Sequence, residues 1–141
     1  MNYILIIFSF VFAFPLFAEK SSKLDLSEYY VRNVPSSFMV TAAYFKLVNS
    51  SKQTLNITKT KSNCAKTVEL HDVVEEDGAS KMIHMPTVQV KPGETLHFKP
   101  HGKHIMLIGL TEDYHKEVPC KFEFFNRDKM EFSFTARRKK R

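Results

Sequence analysis

The alternation of apolar and polar residues in short runs is what most restricts the fold of this 141-residue chain. Between 118 and 125, Val118, Cys120, Phe122 and Phe124 are interleaved with Pro119, Lys121 and Glu123; between 130 and 136, Met130, Phe132 and Phe134 are interleaved with Glu131, Ser133 and Thr135. A period of two places one set of side chains on one face of an extended chain, and no segment past the N-terminus sustains the 3.6-residue period of an amphipathic helix. Runs rich in Phe, Val, Ile and Thr predict strands at 39–48, 54–61, 66–71, 87–90, 95–99, 104–110, 118–125 and 130–136. Turn-forming residues separate them at 49–51, 91–94, 100–102 and 126–129. Eight short strands punctuated in this way predict an all-β domain, a Greek-key β-sandwich. The alternating apolar residues of the last two strands are predicted core, and Met39 and Met130 are assigned to packing.

A hydrophobic content of 43% in a chain of this length suits one domain with a modest core. Residues 1–18 carry no charge and give way to Glu19 and Lys20 after the small residue Ala18, which reads as a signal peptide with cleavage after Ala18. An uncleaved signal anchor is the rival, because the segment lacks an N-terminal Lys or Arg and has Leu16 three residues before the cut. The expected organisation is a signal peptide at 1–18, a domain at 19–136 whose structure starts near Leu24, and a basic tail at 137–141. Export places the protein in the periplasm, argues against nucleic acid as a partner and permits a disulfide. Cys64 and Cys120 belong to no CxxC pair and no lipoprotein-type junction. A bridge between them, two separate buried thiols and a second soft-metal site all stay open. The net charge of +6 is concentrated in Arg137–Arg141, which reads as a solvated tail or as a device steering the chain to anionic lipid or an acidic partner.

Histidine and methionine concentrate between 68 and 110: His71, Met82, His84, Met85, His97, His101, His104 and Met106. Four of these are spaced His-x10-Met-x21-His-x-Met, namely His71, Met82, His104 and Met106. On a strand, His104 and Met106 share one face while Ile105 and Leu107 take the other. His71 ends the predicted strand 66–71, and the polar segment 72–80 is expected to loop Met82 back beside it. Thioether sulfur is a soft neutral donor and imidazole suits several transition metals, so two of each select Cu(I) over zinc, calcium or magnesium. His84 and Met85, within one turn of chain of Met82 and just before Pro86, are alternative ligands, with Met85 the substitute for Met82, since a loop can slide. His97 is expected to face solvent, His101 to sit in a turn and His115 in a polar loop. The acidic run Glu75–Asp77 reads as a solubilising loop or a docking patch. Two glycosylation acceptor motifs begin at Asn49 and Asn56.

The four-residue spacing and its surroundings resemble the PCuAC family of periplasmic copper chaperones. The residues that carry the resemblance are Thr67-Val-Glu-Leu-His71, Val90-Lys-Pro-Gly-Glu-Thr95 and Lys99-Pro-His-Gly-Lys-His-Ile-Met-Leu-Ile-Gly-Leu110, with weaker matches at Ala42–Phe45 and Val48–Asn49. The resemblance spans about residues 25 to 136. It implies a cupredoxin-like sandwich that binds Cu(I) through His71, Met82, His104 and Met106. It also implies delivery of copper to the CuA site of cytochrome c oxidase, directly or with a Sco-type thiol protein, by a monomer. The chain departs from many relatives in lacking Met between His71 and Met82 and in ending on Arg137-Arg-Lys-Lys-Arg141 rather than a His/Met-rich extension, so a second copper site at the tail is not expected.

Two other classes of function compete. An enzyme needs an open coordination position and an acid/base or redox partner, and no motif places a carboxylate for that role. A copper-storage protein, or an envelope-binding module in which the His/Met set is accidental, makes no transfer to an acceptor.

Overall fold

The computed structural model describes residues 23–139. The chain runs β1 (Leu24–Arg32), β2 (Val40–Asn49), β3 (Leu55–Ile57), β4 (Lys59–Ser62), β5 (Ala65–Glu76), β6 (Ala79–His84), β7 (Val88–Val90), β8 (Thr95–Phe98), β9 (His104–Leu110), the one-turn helix α1 (Glu112–His115), β10 (Cys120–Asn126), β11 (Lys129–Ala136) and β12 (Arg138–Lys139). The main sheet has the order β12-β1-β2-β9-β5-β6, and a three-stranded sheet, β11-β10-β4, and a two-stranded one, β3-β7, complete the sandwich. The all-β expectation holds. Strand β2 is the spine: its first half pairs with β9 and its second half with β8, while β1 covers its other edge.

The core forms where the inward residues of these sheets meet. Phe45 of β2 stacks on Phe98 of β8, centroids 4.6 Å apart, and lies 5.3 Å from Phe124 and 5.2 Å from Phe134 across the sandwich. Phe124 and Phe132 stack at 4.3 Å. Each fully buried Phe contributes up to about 3 kcal/mol of transfer free energy, so this ring cluster is a major part of what holds the sheets together. Ile105 and Leu107 are fully buried, which turns His104 and Met106 of the same strand to the opposite face. The disulfide Cys64–Cys120 joins the β4–β5 turn to the start of β10, so the open question of the two cysteines resolves as a bridge within the core.

Several expectations change. Met130 is 51% exposed rather than packed, because the β10–β11 ladder slips between Phe124 and Phe125: Phe124 faces Phe132 but Phe125 faces Met130. The bulge turns Met130 to the outer side of the hairpin. Met39 is 52% exposed because it precedes the first paired residue of β2, Val40. Residues 54–61 are two strands, since Thr58 hands the chain from β7 to β10 through its N–H to the Phe125 carbonyl. Strand β1 was not expected; its alternation is broken by Glu28 at φ 54° and a register shift between Ser27 and Tyr30. His115 closes α1 instead of lying in a loop, and His97 is exposed as expected.

The start of the basic tail is not solvated. Arg138 pairs in parallel with Val31, its side chain is only 13% exposed, its Nη2 lies 2.7 Å from a Glu117 carboxylate oxygen, and its guanidinium sits 4.9 Å from the Tyr114 ring centroid. Asn49 is fully buried, with its Nδ2 donating to the carbonyls of Gln53 and Val90, so its amide is unavailable as a glycosylation acceptor. The expected signal segment 1–18 and the last two tail residues, Lys140 and Arg141, lie outside the described residues.

Candidate metal site

Strands β9, β5 and β6 lie side by side and bring the chemically distinctive residues onto one face. The largest change from expectation is in residues 72–80, which continue β5 and turn into β6 rather than forming a loop. Asp77 and Gly78, at φ 53° and 77°, make a two-residue hairpin turn between the paired residues Glu76 and Ala79. The acidic run is therefore hairpin: Glu75 accepts a hydrogen bond from Ser80, and Glu76 pairs with Lys81.

That turn fixes the register of the whole site. His71 lies opposite His84 on β6 and opposite His104 on β9, so three imidazoles form one cross-strand row. Their ring centroids are 5.5 Å apart for His71 and His84 and 5.8 Å for His71 and His104. Glu69 and Met106 form the adjacent row, and Val73 and Met82 the row on the other side. Met82 is thus diagonal to His71 rather than beside it. Residues 71, 73, 82, 84, 104 and 106 share the face by the strand alternation.

Hydrogen bonding sets which nitrogen of each imidazole is free. The Gly102 carbonyl lies 2.9 Å from His104 Nδ1, and a carbonyl only accepts, so Nδ1 carries the proton and Nε2 the lone pair. His71 Nε2 is 2.9 Å from Glu69 Oε2, so this nitrogen donates to the carboxylate and Nδ1 carries the lone pair. That Nδ1 is buried and has no hydrogen-bond partner. A buried acceptor without a donor is costly in a folded protein, and a metal ion removes the cost. Both rings carry the kind of outer hydrogen bond that orients metal-binding histidines. A 2.6 Å ion pair from Lys103 to Asp72 ties the loop before β9 to β5 and holds the two rings in register.

Met82, His104 and Met106 line one groove of about 750 Å³ with Tyr44, Val73 and His101. Phe38 and Val40, both exposed apolar residues, border the same groove. His104 is 7% exposed and Met82 52%, so the donors run from the buried to the open end of the site. Met85 does not line that groove: it packs against the core, its N–H donates to the Leu70 carbonyl, and it borders a smaller hollow with Thr58, Thr60, Glu69 and His84. Among the described residues no three His, Cys, Asp or Glu side chains gather as a ligand set. Glu69 carries no metal-ligand signal in the sequence, and His84, an alternative ligand there, takes its place in the row only through the hairpin. The Asp-Gly pair at 77–78 was the available signal, since it implies a hairpin whose register sets His84 against His71.

The LpqE-like family matches residues 24–136, nearly the whole described domain. Lxx21020 of Leifsonia xyli subsp. xyli, named as a lipoprotein, is 35% identical over 72 residues, which are 50% of this chain and 43% of the relative. The match therefore spans under half of that protein's length. Among solved structures, the copper-bound PCuAC domain from PmoF2 superposes with a TM-score of 0.65 at 14% identity, covering 83% of this chain and 92% of that domain. The solution structure of apo-DR1885 from Deinococcus radiodurans gives 0.61 at 21% identity, covering 100% of this chain and 97% of the other, and that of CuI-DR1885 gives 0.57 at 24%, covering 84% and 77%. The fold is that of a PCuAC domain, a cupredoxin-like β-sandwich.

Proposed function

The chain belongs to the LpqE-like family, and from that membership, its PCuAC-type sandwich and the His/Met face of β9, β5 and β6 we propose that it is an exported envelope protein that binds Cu(I) and carries it to an acceptor. The ligands in this reading are His71 through Nδ1, His104 through Nε2, and the thioethers of Met82 and Met106. The observation that carries it is the buried, unpartnered Nδ1 of His71, directly across the strand pair from a second imidazole whose lone pair is likewise fixed. Neutral soft donors suit Cu(I), and an anionic thiolate is a stronger soft donor than a thioether or an imidazole, which favours onward transfer to a thiolate-bearing acceptor. Met82 is chosen over Met85 because it shares the groove with His104 and Met106.

Two solved neighbours are named for copper, and the relative is named as a lipoprotein; both support this reading. Both cysteines are held in the disulfide, and in this reading residues 1–18 serve as the signal peptide for export. The acceptor in this reading is the CuA site of cytochrome c oxidase, directly or through a Sco-type thiol protein. A Cu(I) titration against a competing chelator tests it, with Met106→Leu as the paired variant because it keeps volume and removes the sulfur. One equivalent bound per chain, weakened at least tenfold by M106L, is expected; equal affinity in both proteins refutes the site.

A further inference from the structure

His84 is the one imidazole of the cross-strand row that the four-ligand reading does not use. It is exposed, it ends β6, and its ring centroid is 5.5 Å from that of His71, slightly closer than His104 is. Two imidazoles that share one metal ion at about 2 Å per bond hold their centroids roughly 5 to 6 Å apart. Both pairs in the row therefore stand at metal-sharing distance. Yet His71 has a single nitrogen to offer, Nδ1, because Nε2 is committed to Glu69. His84 and His104 lie on strands that flank β5 on opposite sides, and the two thioethers are likewise divided, Met106 on β9 and Met82 two residues before His84 on β6.

We propose that His71 and His84 form a second station for the copper ion, sharing Nδ1 of His71 with the groove site. The inference rests on the copper-carrier reading and extends it. At the inner station the ion is held by His71 and His104 with thioether help. At the outer station it is held by His71 and His84, at the edge of the sheet where an acceptor can reach it. Exchange between them swaps one imidazole for another about the fixed lone pair of His71 and sheds the thioethers of the inner station. Cu(I) tolerates low coordination with soft and imidazole donors, so a two-nitrogen station is chemically adequate for an ion in transit.

The test uses the full-length secreted protein and Cu(I) buffered by a chromogenic chelator. In the double variant His104→Gln/Met106→Leu, which removes the β9 donors while keeping their volumes, one Cu(I) per chain still binds, more weakly than in the unaltered protein. Adding His84→Gln then lowers that residual affinity at least tenfold. Residual binding indifferent to His84, or no residual binding in a folded double variant, overturns the second station while leaving the four-ligand site standing. Failure of the unaltered protein to bind Cu(I) removes the carrier reading and the station together. A measurement that needs no variant accompanies it: during Cu(I) titration of the unaltered protein, the ring resonances of His84 shift along with those of His71 and His104. A His84 ring that stays unshifted at full loading also overturns the proposal.

Discussion

Glu69 offers the sharpest test of the proposed site, because it contacts His71 without being one of the four proposed ligands. Its carboxylate accepts from His71 Nε2 at 2.9 Å, and the two side chains are 34% and 13% exposed, respectively. Replacing it with Ala frees the His71 tautomer and removes a negative charge on the far side of the ring from the ion. At a separation of roughly 6 Å and an effective dielectric of about 20, that charge and a monovalent ion attract by about 3 kcal/mol. The one-third exposure of Glu69 lets solvent screen much of this, leaving about 1–2 kcal/mol. Loss of the orienting hydrogen bond acts in the same direction, and outer-shell partners of metal-binding histidines are typically worth about 10–100-fold in affinity. E69A is therefore expected to weaken Cu(I) binding by about 10–100-fold, read by chelator competition. E69Q keeps an acceptor and loses only the charge, so it falls between E69A and the unaltered protein. Folding stability changes by about 1 kcal/mol or less in both, since the pair is near the surface. A Cu(I) affinity for E69A within threefold of the unaltered protein would refute the assignment of Nδ1 as the ligand atom.

Met82→Leu is expected to lower Cu(I) affinity at least tenfold while Met85→Leu leaves it within twofold, because only Met82 lines the groove with His104 and Met106; the reverse order in the same titration would move the ligand to Met85. Replacing Cys64 and Cys120 together by Ala is expected to lower the unfolding free energy in urea by about 2–4 kcal/mol, given the 56-residue separation they close. A loss under 1 kcal/mol would show that the bridge adds little to this core. Tyr114→Phe leaves the buried Tyr114 site without its hydroxyl, which accepts from the Val34 N–H at 3.0 Å and donates to the Arg32 carbonyl at 3.1 Å. A cost of about 1–3 kcal/mol is expected, and an unchanged urea midpoint would contradict the role given to that bond.

The period-two runs were enough to give the all-β class, the buried faces of β9 and β10 and the outward turn of His104 and Met106, because side-chain alternation along a strand is a local property. They failed at Met130, where one slipped pair in the β10–β11 ladder reverses the face, and at β1, where Glu28 interrupts the alternation; a bulge leaves little trace in residue type. The spacing of His71, Met82, His104 and Met106 was visible in the chain, and so was the Asp77-Gly78 pair that sets the hairpin register. The residues alone thus specify soft donors on extended segments. That β5 stands between β9 and β6, with His71 between His104 and His84, and that Glu69 and Gly102 each claim one ring nitrogen, follows from the folded chain. Strand order and hydrogen-bond partners depend on which segments, far apart in the chain, bury their apolar faces against the same core.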